Sequence, residues 1–182
     1  INVLGKNWAI LAEVDVAEAF VPLDEHGDEF YKKYIEKYGY YDLFVMNPDG
    51  YVFYTATKEA DYQTNMVSGK YKDSGLGALT REVLETKKFG IADFAPYAPS
   101  NGDPAAFIAE PSMDKNGKPQ LVIGLQLSLD AINSVMQQRD GMGETGETYL
   151  VGSDKLMRSD SFLDPKNHSV KASFANPATG KV

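Results

Sequence analysis

An α+β fold is what this sequence predicts, with a helix feeding a five-stranded antiparallel sheet, and three observations carry that prediction. Phe30, Tyr31, Tyr34, Ile35 and Tyr38 recur at helical spacing until Gly39 supplies a stop. Residues 41–46 and 51–57 are β-rich runs on either side of Asn47-Pro48-Asp49-Gly50, whose Pro fixes φ and whose Gly takes a positive φ, the signal of a hairpin. Three more β-rich runs, at 90–97, 105–110 and 120–129, are joined by Pro99-Ser100-Asn101-Gly102 and Asp114-Lys115-Asn116-Gly117.

In chain order, residues 8–15 read as a mostly buried strand and 16–23 as a short connection ending near Pro22. Asp28 occupies an N-cap position for the helix over 28–38. After the hairpin, residues 58–75 are polar and punctuated by Gly and Ser without a clear period, so the chain makes an excursion away from the sheet. Leu76, Leu79, Thr80, Val83 and Leu84 mark a helix that ends around Lys87-Lys88. The three returning strands follow, then a helix over 131–138 and a strand pair at 147–151 and 156–161 around Ser153-Asp154-Lys155, with a turn-rich tail after Leu163.

Residues 9–16 echo residues 122–129, and each is followed by a helix and a strand-turn-strand. On that echo the chain divides into a terminal strand and connection of an adjoining unit (1–27), a complete unit (28–136), and a linker with the first strands of a second, incomplete unit (137–182). Orphan strands would leave backbone donors and acceptors unpaired, so the flanking pieces should meet each other or a second chain.

Composition removes several function classes. The 182 residues are 43% hydrophobic and 24% charged, with 18 basic against 26 acidic side chains and a net charge of −8. That is a folding composition, and with no basic run longer than Lys-Lys it offers no footprint for nucleic acid or anionic lipid. The absence of cysteine excludes a disulfide framework, a thiolate metal site and a cysteine nucleophile. The longest apolar stretch, residues 8–20, is broken by Glu13, Asp15 and Glu18, short of the roughly 20 clean residues of a membrane helix. Opening on Ile1-Asn2-Val3, the chain reads as a segment cut from a longer protein.

The chemical motifs are few. Gly141-Met142-Gly143-Glu144-Thr145-Gly146 spells G-x-G-x-x-G, but it runs from helix to strand and carries Glu144 where an anion would approach, so a linker is the plainer reading. Asp114 could open a calcium loop, yet Leu125 stands at the twelfth position, and a hairpin turn is expected instead. His26 and His168 are far apart and poor in neighbouring ligands. Asp42, Asp61 and Asp93 would suit general acid–base work if they met, but acids scattered through an acidic chain usually face solvent. No nucleophile–base constellation stands out; neither an enzyme nor a cofactor is expected.

Tyr40-Tyr41-Asp42-Leu43-Phe44, Asn47-Pro48-Asp49-Gly50, the stretch Asp93-Phe94-Ala95-Pro96-Tyr97 with its following turn, Gly143-Glu144-Thr145-Gly146-Glu147-Thr148-Tyr149-Leu150, Leu156-Met157-Arg158-Ser159 and Trp8-Ala9-Ile10-Leu11 together resemble the double Cache sensors of bacterial methyl-accepting chemotaxis proteins. The resemblance covers most of the chain. It implies a PAS-like five-stranded antiparallel sheet with a long N-terminal helix and flanking helices, plus part of a second such unit. In that family the Trp8-type strand closes the membrane-proximal unit, after the region that here is C-terminal, so the order suggests a tandem array or an unusual cut.

The resemblance further implies a periplasmic sensor of a transmembrane receptor whose ligand pocket lies on one sheet face, roofed by the excursion between the second and third strands. Signalling would pass through displacement of the N-terminal helix, and dimerisation through the helix at 28–38, where Tyr31, Tyr34 and Tyr38 offer apolar area. Contact with a membrane would come only through segments outside this chain. Tyr54, Tyr62, Asn65, Tyr97, Ser100, Phe107 and Gln126 are the residues that would face the pocket, aromatic walls with a few polar tips. A ring on a strand is by default core, so Tyr97 and Gln126, which align with ligand-touching positions, are the sharper candidates. Amino-acid-binding members place acids where this chain has Pro99 and Gln126, and the family's Arg and Trp for the ligand carboxylate are missing, which disfavours a standard α-amino acid. A histidine kinase or nucleotide cyclase carries the same kind of sensor, and a ligand-free structural module would show a pocket filled by Tyr54, Tyr97 and Phe107.

Overall fold

The computed structural model describes residues 2–3, 6–7, 20–178 and 180–182. Two short strands, β1 (Asn2–Val3) and β2 (Lys6–Asn7), pair antiparallel with Asn2 opposite Asn7. The strand expected at 8–15 and most of the connection after it lie outside the described residues.

Helix α1 (Phe30–Tyr38) forms from the predicted aromatic stripe and stops where Gly39 turns left-handed, its N–H bonding back to Ile35 O at 2.8 Å. Its start differs from the expectation: Glu29, not Asp28, is the N-cap, and it makes no side-chain cap. The Asp24 carboxylate instead accepts from the backbone N–H groups of His26 and Asp28 and from Lys33, tying the approach to the helix. At nine residues, this helix is a short brace among the described residues.

β3 (Tyr40–Met46), β4 (Val52–Thr55), β5 (Gly90–Pro96), β6 (Pro104–Met113) and β7 (Pro119–Leu127) form one antiparallel sheet in the order β4-β3-β7-β6-β5. The hairpin closes through Asn47 N to Tyr51 O and Gly50 N to Asn47 O. Gly50 is required there: its φ is +90°, and a Cβ would come within 2.5 Å of the Val67 side chain.

Strand alternation sorts the core onto two faces. On one, Phe44, Met46, Val52, Phe107, Ala109 and Val122 pack with Met66 and Tyr71 of the excursion and with Leu76, Leu79 and Val83 of helix α2 (Gly75–Thr86). Ser74 caps α2 by accepting from Gly77 N. On the other, Leu43, Val45, Phe53 and Tyr54 pack against Ile35, Tyr31 and Tyr34 of α1.

The chain after β7 also packs on the α1 face, at its β5–β6 end. Helix α3 (Leu129–Met136) and helix α4 (Val170–Ala175) contribute Leu129, Ile132, Val170 and Phe174 to a cluster with Phe94, Ala106 and Met157. The strand pair expected at 147–151 and 156–161 is reduced to one bridge, Val151 to Met157. The backbone there is claimed by side chains: Leu150 N donates to Ser159 Oγ, Asp160 N to Asn133 Oδ1, and Phe162 N and Leu163 N to Glu147. Such side-chain partners satisfy the N–H groups without a ladder.

Candidate functional site

The roof over the α2 face is stitched down before it can carry a site. Residues 63–66 run back along the edge of β4, with Val52 N donating to Thr64 O, Gln63 N to Val52 O and Met66 N to Gly50 O. Asn65 spends its amide on this turn: Oδ1 accepts from Val67 N and from the N–H and hydroxyl of Ser68, and Nδ2 donates to Asp49 O. Asp42 fixes the other end. Its carboxylate accepts from Leu43 N, Ala56 N and Thr57 N, at 2.7 to 3.1 Å, and from the Thr57 hydroxyl at 2.6 Å.

Between these anchors lies a buried polar cluster. Tyr97, 1% exposed, sets its ring edge-on against Phe107 at 4.8 Å and donates its hydroxyl to Asp61 Oδ2 at 2.6 Å. Ser100 and Tyr41 donate to the two oxygens of Glu59, at 2.7 and 2.8 Å. Gln126 stands opposite both Asp42 and Phe107 in the sheet and is 5% exposed. Two buried acceptors in this cluster have no donor: Asp61 Oδ1 and Gln126 Oε1. A cleft of about 280 Å³ is lined by Tyr41, Glu59, Ser100, Asn101, Gln126 and Ser128 among others, so that of the two acceptors it is Gln126 that lines it, while Asp61 lies behind Tyr97.

Electrostatically the cluster is one-sided. Burial pushes the Asp61 carboxyl up to about 6; the Tyr97 hydroxyl opposes this, and the charges of Asp42 and Glu59 add to it. Burial also raises Asp42 against its hydrogen bonds, and it raises Tyr97, where the charge of Asp61 acts in the same direction. The hydrogen bond to Glu59 takes the Tyr41 hydroxyl up to about 12. Among the described residues no Lys, Arg or His pairs with Asp42, Glu59 or Asp61. No group of His, Asp and Glu is arranged to hold a metal ion there either.

Of the residues singled out in the sequence, Tyr97, Ser100, Phe107 and Gln126 come together at this cluster. Tyr62 sits on the excursion, half-buried, with the Lys58 ammonium 5.9 Å from its ring centre. Asn65 serves the turn. Tyr54 does not join them: it lies on the opposite face, packs on Tyr31 at 5.4 Å and donates to Glu29 at 2.8 Å. Its register partner is Val45, which faces α1, so the pleat carries Tyr54 the same way.

Asp42, Glu59, Asp61 and Tyr41 belong to the cluster although the sequence does not single them out as pocket residues. Asp42 and Asp61 are fully buried, against the expectation that scattered acids face solvent, while Asp93 goes elsewhere, to Arg158. One signal was readable: Asp42 shares strand parity with the apolar Phe44 and Met46. Of the other motifs, the Asp114 turn is a hairpin as expected. Arg139 donates to the carbonyls of Gly143, Glu144 and Gly146 and so fills the G-x-G-x-x-G loop, and Asp114 closes its hairpin by accepting from Asn116 N and Lys118 N.

A larger groove, about 400 Å³, lies on the other sheet face between Phe89, Ile108, Glu110, Ser112, Ile123 and Leu125. It is open and mostly apolar, and neither unpaired buried acceptor lines it. The polar cluster is therefore the better candidate for recognition.

No protein-family model matches the chain, and no curated protein matches it. Solved structures do. An extracellular ligand binding receptor from Desulfohalobium retbaense DSM5692 superposes with a TM-score of 0.56 at 10% identity, over 88% of this chain and 28% of that one. The ligand-binding domain of the Pseudomonas aeruginosa PAO1 amino acid chemoreceptor PctC, in complex with GABA, superposes with a TM-score of 0.51 at 12% identity, over 84% and 63%. That of the Pseudomonas fluorescens chemoreceptor CtaA, with L-isoleucine, gives 0.48 at 16%, over 78% and 53%. This chain thus spans between about a quarter and under two thirds of each. The fold is PAS-like, of the Cache type: five antiparallel strands with flanking helices.

Proposed function

We propose that this chain is the sensing part of an extracytoplasmic receptor, and that it takes a small polar metabolite beneath the excursion at Tyr97, Gln126 and Asp61. The observation that carries the reading is the pair of buried acceptors, Asp61 Oδ1 and Gln126 Oε1, left without donors. A buried polar atom without a partner costs about 1–3 kcal/mol, so such atoms are retained where something supplies the missing bond. What they lack is a donor, and three carboxylates without a cation favour a positively charged one. The ligand head is therefore an amine or a similar cation, with Tyr97 and Phe107 as its apolar wall. The recognition differs from the amino-acid pattern, since no Arg or Lys side chain bonds into the cluster to receive a carboxylate.

The reading places the module on the periplasmic side of a membrane receptor of the chemotaxis type, without catalytic turnover. A histidine kinase or cyclase output is equally served by the same sensing event. Binding acts only through different affinities for two states of the module. A route exists toward α1: Asp42 belongs to β3, which pairs with β4, and Tyr54 of β4 holds Glu29 at the start of the helix. Phe30 and Tyr38, each about half exposed on α1, supply the apolar area for the proposed dimer. Residues 137–182 remain, on this reading, the beginning of an adjoining unit, here braced against β5 and β6.

Tyr97 and Phe107 pack into the core as a ligand-free structural module would have them, but Tyr54 lies on the opposite face, and a packed core without a ligand would bond the two unpaired acceptors internally. The test is a thermal-shift panel of primary amines, organic acids, sugars and purines at pH 7.5. A ligand at 100 times its Kd adds about 2.7 kcal/mol to stability. We expect amines to raise the melting temperature and Gln126→Ala to abolish the rise; a flat panel overturns the sensing reading.

A further inference from the structure

We propose that ligand and proton compete for Asp61, so that the sensor is proton-gated: in acid the empty site holds a proton on this carboxyl, and the cationic ligand displaces it to solvent. The inference rests on the sensing reading above and adds the regulation of that same site.

The geometry carries it. Asp61 is fully buried, its Oδ2 takes the Tyr97 hydroxyl, and its Oδ1 has nothing. An ionised carboxylate in that position would hold an unsatisfied charge inside the protein, whereas a neutral carboxyl would not. Of the titratable groups that face it, Asp42 and Glu59 make ionisation harder, and the Tyr97 hydroxyl, which favours it, is outweighed by burial. Asp42 approaches from β3 and Glu59 from the same turn, both acidic, and Tyr97 comes from the end of β5. From α2 only Leu76, Gly77, Leu79, Thr80 and Val83 are buried, and β7 contributes the neutral Gln126. Among the described residues no cation bonds into the cluster; the nearby Lys58 lies over Tyr62. The upward shift of Asp61 into the range of about 6 is what this arrangement produces.

A cationic head bonded to Oδ1 reverses the balance, because an opposite charge at contact favours the ionised carboxylate. Binding at acidic pH must then expel the proton first. An amine stays charged throughout this range, so the ligand's own titration does not enter. With a midpoint near 6 in the empty site, apparent affinity falls about tenfold from pH 7 to pH 5. The receptor would report less of the same amine in acid.

Two measurements test this on the whole chain. The first needs no ligand: carboxyl-carbon NMR titration of the protein, with Asp61 assigned by its absence in Asp61→Asn. A midpoint near 6 supports the proposal; a midpoint in the ordinary carboxylate range overturns it whatever binds. The second is calorimetric titration with 1,4-diaminobutane and with 4-aminobutanoate at pH 5, 6 and 7, in two buffers of different ionisation enthalpy. We expect tenfold weaker binding at pH 5, about half a proton released per ligand at pH 6, and neither effect in Asp61→Asn. An amine bound equally at pH 5 and 7 overturns the gating and leaves the sensing reading. An organic acid or sugar bound through Gln126, with no amine bound, does the same. No binding by any class overturns both.

Discussion

Asp61 is where residue-scale physics decides the behaviour of this protein. Because its folded carboxyl holds its proton up to about 6 while the unfolded one releases it near 4, the group stabilises the fold fully below about 4. That stability is lost as pH rises through 6, and the loss amounts to roughly 2–3 kcal/mol. Asp61→Asn should therefore melt above the wild type at pH 7 and level with it at pH 4; parallel melting curves across pH 4 to 7 would refute the assignment. Tyr97→Phe removes the donor to Oδ2 and strands a second buried oxygen, which should cost about 1–3 kcal/mol at pH 7, read by urea unfolding. Tyr97, Phe107 and Gln126 were legible in the sequence because they sit on strands whose alternation and resemblance point inward. Asp61 was not, because it lies in an aperiodic polar stretch where only the stitching along β4 decides which groups are buried. Tyr54 misled for the converse reason. It is an aromatic on the right strand, and its face is fixed by pairing with Val45, which the sequence of β4 alone does not state.

Among elements, β5 has a double duty. Its register shifts between Ala92 and Ala95, and the irregular stretch presents Asp93 to Arg158 while the strand runs on to Tyr97. Arg158 is nearly buried, bonds both Asp93 oxygens at 2.8 Å, reaches Asp154, and lies over the Phe174 ring at 5.1 Å. Arg158→Ala strips all of these contacts and leaves the site residues untouched. It should cost about 1–2 kcal/mol by denaturant unfolding, with ligand affinity changed less than threefold; a tenfold loss of affinity would show instead that the brace sets the site. The elements themselves were largely legible. Turn chemistry at Asn47–Gly50 and the helix stop at Gly39 are local, and local rules hold there. The strand pair at 147–161 was not, because Ser159, Asn133 and Glu147 take its backbone N–H groups from positions that strand periodicity ignores.

At the scale of the molecule, one sheet separates two jobs. The α2 face carries the excursion and the uncompensated acids, and the cleft opens at the end of β7 beside Glu59; the α1 face carries a helix brace, an apolar groove and the C-terminal packing. The composition favours a cation at such a site only in its sign, −8, and says nothing of where the charge gathers. Three carboxylates, Asp42, Glu59 and Asp61, converge only once β3 and the excursion are folded together, which is why their clustering escapes a reading along the chain. The central claim is that ligand enters beneath the excursion and not at the larger apolar groove. Hydrogen–deuterium exchange of the whole chain, with and without the amine that most raises its melting temperature, tests this most directly. The account predicts slowed exchange across residues 56–66 and 97–102, with residues 108–112 and 121–125 unchanged. Protection confined to residues 108–112 and 121–125 would contradict it and move the binding site to the other face of the sheet.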